Sequence, residues 1–577
     1  MLVAGGVAQR EALVRVASLA ELRDRSPLVA HVDGHTVVLF LDNERVYALD
    51  NRCPHMGFPL HRGSCQDGIL TCHWHHARFD LDTGGTFDPW ADDVRSFPVQ
   101  VRDGEVWIDT RPRTDSEDHQ RGRLREGLER DLPLVVAKAA LVVDPADALR
   151  IGLEFGTHYR RAGWGRGLMI LACMANLLPR LDEGDRRHAL YHGLAAVAED
   201  CAGEPPRFPL RALPGATAEA AALKRWLRQF VEVRDAEGAE RCLVSAVRSG
   251  ASPAQLADML FQVATDHRYI EGGHGLDFVN KALETLDVAG WDLAERVLPS
   301  LARGLAAAER MEEANSWRHP VDLVVILERA FEELPAALAA RATSWAGRDA
   351  LVTVLLGDDP EAIADALLDA LREGASETQL ASAVSHAAAL RIARFPTSNE
   401  FADWDTALHT FTFANAVEQG LRRAPSPELV RGVFDAAMSV YLDRFLNVPA
   451  TKLPEGAADA DPRALLESFP PLFDRQQQVS AAGQLVADYL AARGDPDPLL
   501  ARLGSALLRE DRDFHTIQMV EAASAQHERV GSGPDAALVL VAAARYLAAH
   551  APTVRAQAQT YEIALRLHRG ERLYDDD

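Results

Sequence analysis

Between residues 28 and 110 apolar and polar positions alternate over short runs that are separated by turn formers. Val37-Val38-Leu39-Phe40-Leu41 follows Asp33-Gly34, and Val99-Gln100-Val101 passes through Asp103-Gly104 into Val106-Trp107-Ile108. Alternation with period two, closed by Asp-Gly, predicts β-hairpins. From Thr110 to Asp131 the chain turns strongly charged and almost lacks large apolar residues, as a linker does. Beyond it Ala and Leu dominate, and apolar residues recur every three or four positions, as in Ala222 to Phe230 and Ala537 to Leu547. The expectation is a multidomain protein. A small all-β domain over residues 1–112 is followed by a charged linker over 113–133 and a large all-α domain with internal repeats over 134–577.

The repeats have a physical logic. Gly250-Ala251-Ser252-Pro253-Ala254-Gln255-Leu256-Ala257 returns as Gly374-Ala375-Ser376-Glu377-Thr378-Gln379-Leu380-Ala381. In each, Gly ends one helix, Ser caps the next, and Gln stands at the capping-box position, with Pro253 suited to a first helical turn. Downstream, His274-x3-Phe278-x-Asn280 matches His409-x3-Phe413-x-Asn415, and His515-Thr516 echoes His409-Thr410. A histidine is therefore expected at the head of equivalent helices.

One constellation carries specific chemistry. Cys53-Pro54-His55 precedes Cys72-His73-Trp74-His75 in the pattern C-x-H-x16-C-x-x-H. One Cys and one His from each of two loops is the donor set of a [2Fe-2S] cluster with two thiolates on one iron and two imidazoles on the other. Zinc sites favour paired Cys-Cys or His-His spacings instead. With Gly57, Pro59, Arg78-Phe79-Asp80 and Thr83-Gly84-Gly85 around it, the motif resembles that of Rieske ferredoxins and the Rieske domains of ring-hydroxylating oxygenases. Phe58 and Trp74 stand where cytochrome-complex Rieske proteins carry a disulfide, so the resemblance is to the disulfide-free type. It implies Cys53, His55, Cys72 and His75 as cluster ligands. His73 and His76 break the ligand register and read as neighbours of the site.

Length and charge narrow the function. A chain of 577 residues is far longer than such a domain, and its formal net charge of −24 (61 Lys and Arg against 85 Asp and Glu), spread along the chain, argues against nucleic acid or an anionic membrane surface. The longest apolar stretch, Leu168 to Leu178, is too short to span a bilayer, and Met1 to Arg10 has no basic region followed by an apolar one. The remaining cysteines, Cys65, Cys173, Cys201 and Cys242, show no pairing pattern. A cytoplasmic location is expected.

Within the helical region, His274, His409 and His515 are the candidate catalytic histidines, because equivalent helix starts in a duplicated bundle converge where a metal, a haem or a substrate can sit. His192 joins them as a candidate, and His158, His267 and His386 are second-tier. Asp185-x2-His188-x3-His192 resembles the element that, in Rieske oxygenase catalytic subunits, holds a mononuclear iron, although that family's catalytic domain is a large antiparallel sheet. The segments Arg187 to Leu194, His274, His409 and Phe514-His515-Thr516-Ile517 are together similar to questin-oxidase-like proteins, a helical family of Baeyer-Villiger-type oxidases. Gly163-Trp164-Gly165-Arg166-Gly167 follows no strand and lacks G-x-G-x-x-G, so it reads as a helix-start turn. No flavin or nicotinamide site is evident, which makes a separate reductase or ferredoxin the expected electron donor.

The functional expectation is a Rieske iron-sulfur oxidoreductase. Its [2Fe-2S] cluster passes electrons to a second iron, a haem or a substrate site in the helical domain, where a small organic molecule is oxidised with O2. The alternative is an electron carrier fused to a helical scaffold that docks a separate enzyme. The substrate, cluster potential and oligomeric state are not legible in the sequence.

Overall fold

The computed structural model describes residues 13–111, 117–214, 219–340, 344–571 and 573. Among the described residues ten antiparallel strands form three small sheets. These are β1 (Leu13–Ser18), β2 (Leu28–Val32), β3 (His35–Asp42), β4 (Arg45–Asp50), β5 (Ser64–Gln66), β6 (Ile69–Thr71), β7 (Arg78–Asp80), β8 (Ser96–Phe97), β9 (Val99–Arg102) and β10 (Glu105–Asp109). The sheet orders are β1-β10-β9, β2-β3-β4-β8 and β5-β6-β7. Both expected Asp-Gly turns form, with positive φ at Asp33, Gly34, Asp103 and Gly104. Because successive side chains on a strand point to opposite faces, β3 divides two cores. Val38 and Phe40 join Leu49, Leu70 and Phe79 on one side, while Val37 and Leu39 join Ala48, Val106 and Ile108 on the other. All six cysteines are free thiols.

Contacts divide the chain into two compact units, one running to Ala148 and taking in the residues from Gln559, the other spanning Leu149–Ala558. The described strands end at Asp109, and the first compact unit takes in helices beyond the boundary expected at residue 112. The stretch expected as a linker carries a helix, Glu117–Glu129, followed by another at Pro133–Val142; residues 113–116 and Met1 to Arg10 lie outside the described residues. Its charges are used in packing. Arg123, buried, bonds Asp92 at 2.8 Å and the carbonyl of Ala91 at 2.8 Å, and Lys138 pairs with Asp92 at 2.9 Å. A charge run reads as solvated only while its partners are unseen.

Among the described residues no strand lies beyond Asp109. In the second unit the helices Arg166–Leu177 and Glu183–Cys201 pack closely through small residues: a Cβ on Gly193 would come within 2.8 Å of Leu171, and one on Gly167 within 2.5 Å of the Ala196 carbonyl. Gly165 is the N-cap of the first of these, as expected for a helix-start turn. The repeated caps also form. The Ser252 and Ser376 hydroxyls each accept the backbone N–H of Gln255 and Gln379, whose side chains return to the cap backbone at 2.9 Å. One expectation needs correcting. His274 opens the helix His274–Ala289 and His515 stands second in Phe514–Val530, but His409 lies two turns inside Phe401–Arg423. The second repeat extends its helix towards the N-terminus, so equivalent histidines do not occupy equivalent helix positions. No described helix is long and apolar enough to cross a membrane.

Candidate redox sites

The first site is made by two loops of the same backbone design. The loop after β4 and the loop joining β6 to β7 each turn around a cysteine, Cys53 and Cys72. The cysteine N–H donates to the carbonyl five residues on (Cys53 to Phe58, Cys72 to Ala77, both 2.8 Å), and its carbonyl accepts from the residue four on (Gly57 at 2.8 Å, His76 at 3.0 Å). That fourth residue has positive φ in both loops, +84° at Gly57 and +63° at His76, so each chain turns back and aims its amides inward. The N–H groups of His55 and Met56 bond the Cys53 sulfur, and those of Trp74 and His75 bond the Cys72 sulfur.

Both cysteines belong to the apolar core, with Leu60, Leu70 and Phe79, and their thiols are hydrogen-bonded to one another. This contact and burial push the Cys53 thiol up, while the bond from Cys53 draws Cys72 down to about 6. The two imidazoles stand beside each other, His55 and His75, with ring centroids 4.8 Å apart. Burial, then His75 and Lys138, lower His55 to about 4, which keeps it in the neutral form that ligates. Its buried Nδ1 has no hydrogen-bond partner. Two adjacent thiols, two adjacent imidazoles and four amides aimed at sulfur fit a [2Fe-2S] cluster with mixed ligation.

The sequence pattern of the Rieske [2Fe-2S] domain matches residues 12–98. The ferredoxin component of an alkene monooxygenase system from Xanthobacter autotrophicus is 34% identical over 100 residues, which are 17% of this chain and 82% of that protein. The chain belongs to the Rieske [2Fe-2S] family through this domain. Human apoptosis-inducing factor 3 is 37% identical over 73 residues, 12% of this chain and 12% of that protein, so only a small part of that relative's length is shared. Among solved structures, the ferredoxin of carbazole 1,9a-dioxygenase from Nocardioides aromaticivorans is similar at 32% identity over 17% of this chain and 99% of that one, with a TM-score of 0.17. The matched family pattern ends at residue 98, before the helical unit.

The Rieske domain is gripped by residues beyond the matched segment. Lys138 donates to the Pro54 carbonyl and lies 3.5 Å from that of His55. Arg52 donates to the Leu567 carbonyl at 2.9 Å. Sequence reading missed Lys138 because it lies in the stretch assigned to a separate helical domain.

The second site lies wholly in the helical unit, and it unites the three repeated histidines. Ligand nitrogens of His274, His409 and His515 all lie within 4.8 Å of one another. Nε2 of His409 is 3.1 Å from Nε2 of His515, and the His274 ring stands 4.4 Å from that of His409 between centroids. Two nitrogens bound to one ion at about 2.0–2.1 Å, with roughly 90–110° between the bonds, are about 2.9–3.4 Å apart. Burial, with the neighbouring imidazoles, lowers His274 to about 3 and His409 to about 4.

Behind His515 stand two carboxylates. Its Nδ1 is 3.3 Å from Asp513 and 3.6 Å from Asp405, an arrangement that puts the ring proton on Nδ1 and turns the Nε2 lone pair towards the other histidines. Burial alone would raise Asp513, but hydrogen bonds from His515 and Thr516 hold it well below the ordinary carboxylate range. Asp405, half-buried, accepts from Tyr546 and lies 3.5 Å from His550 Nε2, and is likewise lowered. Neither aspartate was singled out in the sequence, although Asp405 lies one helical turn before His409 and Asp513 two residues before His515. Tyr269 and Glu271, just before the His274 helix, hold positive φ of +42° and +52°, backbone strain of the kind found at functional sites. His409 also lines a cavity of about 540 Å³, with Tyr269, Trp317, Leu323, Tyr441 and Leu442.

His192 is not part of this cluster. It faces His188 on Glu183–Cys201, ring centroids 4.8 Å apart, is 4% exposed, and bonds the Leu508 backbone. Asp185 bonds Ser505 instead of joining the pair, and among the described residues Asp185, His188 and His192 do not bring three ligand atoms within 4.8 Å. The element is on a helix packed into the bundle, where Leu508 and Ser505 take His192 and Asp185, while the buried Nε2 of His192 has no hydrogen-bond partner. The second-tier histidines are elsewhere too. His267 lies between Glu232 and Glu312 at 2.9 and 2.6 Å, His386 is 3.5 Å from Asp535, and His158 stacks edge-on to Tyr159.

Proposed function

We propose that the protein is a Rieske oxidoreductase whose helical unit holds a second metal, an iron ligated by His274, His409 and His515, at which a small organic molecule is oxidised by O2. The observation that carries this reading is the convergence of three imidazoles with Nδ1 of one backed by two carboxylates. Three converging imidazoles suit a single non-haem ion, since a haem iron takes at most two ligands from the protein. The cluster, when bound, supplies electrons one at a time. Cys53 and Cys72 would hold its buried iron, and His55 with His75, the more exposed of the two imidazoles, would hold the other. Relatives named as ferredoxin components of oxygenase systems support an external reductase or ferredoxin as the donor. The cavity beside His409 has the size of a small-molecule site and a largely apolar wall.

In this reading Asp513 and Asp405 orient His515, and Tyr546 and His550 in turn orient Asp405. The test is iron counted per chain in anaerobically purified protein, with electron paramagnetic resonance of the reduced form. A third iron is expected beside the cluster pair. It should disappear in His409→Ala while the Rieske signal persists. Two irons per chain in wild type would favour the carrier fused to a docking scaffold.

A further inference from the structure

The helices that carry the three histidines run parallel away from the site, and the face they share stays polar along its length. One turn below, Gln518 donates to Asp277 at 2.7 Å, three residues beyond His515 and His274 respectively. Next, Lys281 donates to Glu521 at 2.6 Å and to Glu284 at 2.9 Å. Asn176 donates to the same two carboxylates at 2.9 and 2.7 Å, and Asn280 to Glu284 at 2.8 Å. Further on, Gln526 donates to Asn415 at 3.0 Å and Glu418 at 2.9 Å, Arg529 to Asn415 at 2.9 Å, and Arg422 to Glu418 at 2.9 Å. Arg422 is exposed, and with Asn280, Gln419, Arg423 and Arg529 it lines a surface cavity of about 310 Å³.

Stability alone does not account for this column. Asp277, Asn280, Lys281, Asn415, Gln518 and Glu521 are each at most 3% exposed, and a buried ionic network is generally no more stable than well-packed apolar residues. Asp277 Oδ1, Gln518 Oε1, Glu521 Oε2, Asn280 Oδ1 and Asn415 Nδ2 are buried without hydrogen-bond partners. Buried atoms of this kind bond internal water in folded proteins, and Arg529, which donates to Asn415 and feels the charges of Glu418, Glu284 and Glu521, stands between the Glu284 and Asn415 stretches. Burial pushes Asp277 up to about 7 against the pull of Lys281, so the carboxyl of the column that lies one helical turn from His274 holds an exchangeable proton at neutral pH.

We propose that this column is a proton path from the surface cavity to the three-histidine site. The inference rests on the oxidative reading above, in which O2 + S + 2e⁻ + 2H⁺ gives SO + H2O. One oxygen atom enters the substrate S, the other leaves as water, the electrons come from the external donor through the Rieske domain, and the two protons need a route of their own. Protons enter at the arginine-lined cavity, pass Glu418 and the carboxylates around Lys281, and leave through Asp277.

The test is stopped-flow reaction of chemically reduced full-length protein with O2, in H2O and in D2O, with iron counted in every sample. Glu521→Gln and Asp277→Asn should slow reoxidation about tenfold or more and change its solvent isotope effect, while iron content and the Rieske spectrum stay as in wild type. Should either variant fail to fold, the paired replacement Lys281→Met with Glu521→Leu keeps the volume apolar and should slow the reaction equally. Wild-type rates and isotope effects in variants that retain a third iron would overturn the path alone. Wild-type protein with only two irons per chain would overturn the metal-site reading, and the path with it.

Discussion

His409 and His515 meet Nε2 to Nε2 at 3.1 Å although 106 residues separate them. Such proximity suits either one shared proton or one shared ion. The carboxylates behind His515 decide which is more useful. With Nδ1 engaged by Asp513 and Asp405, the Nε2 of His515 presents a lone pair, so His409 would have to donate to it or both must face a cation.

The outer carboxylates offer a graded test. Asp513→Asn leaves the three imidazoles in place but removes the charge that orients His515, and outer-shell changes of this kind cost about 10–100-fold in metal affinity. Equilibrium dialysis against Fe(II) or Co(II), compared with His515→Ala, should show weakening in the first variant and loss in the second. Equal affinity in Asp513→Asn and wild type would leave the carboxylates without that role.

His192→Ala is expected to separate structure from metal binding. Removing a buried imidazole that bonds the Leu508 backbone should cost about 1–3 kcal/mol in denaturant unfolding. The iron count should not change, because His192 stands apart from the three-histidine cluster. Loss of the third iron in a folded variant would restore His192 to the site.

Acid should act on the metal-free protein through its buried imidazoles. His188 and His274 are lowered to about 3, and His192 and His409 to about 4, chiefly by burial. As pH falls through 6.5 the unfolded chain takes up protons before the folded one, so stability present above that value is lost progressively down to pH 4. Each site contributes on the order of 2–3 kcal/mol over two units of pH. Thermal melts at pH 7 and 5 should therefore differ sharply, and metal should protect at the lower pH because protons must first displace it. A pH-independent melting temperature would contradict the burial of these groups.

Lys138→Met is expected to lower the reduction potential of the Rieske cluster. The ammonium group, bonded to the Pro54 carbonyl and paired with Asp92, favours the more negative reduced state, and local charge is one of the levers on such potentials. A redox titration followed by circular dichroism reads the shift directly. An unchanged potential would assign Lys138 to packing alone.

Part of this was written in the sequence. The donor types and spacing of Cys53, His55, Cys72 and His75 specify the Rieske domain, because a short-range motif sets two loops, and Asp33-Gly34 and Asp103-Gly104 specify hairpins through a local φ requirement. The capping boxes at Ser252 and Ser376, like the repeated histidines, were legible for the same reason: they depend on residues a few positions apart. Tertiary packing decided what depends on neighbours from distant segments. It set His192 apart from His274, His409 and His515, and brought Asp405 and Asp513 behind His515. It also turned Arg123 of the expected linker inward to Asp92 and lined up Asp277 and Lys281 of one helix against Glu521 of another. A local sequence pattern specifies which face of a helix a side chain occupies, but only the fold determines what that face meets.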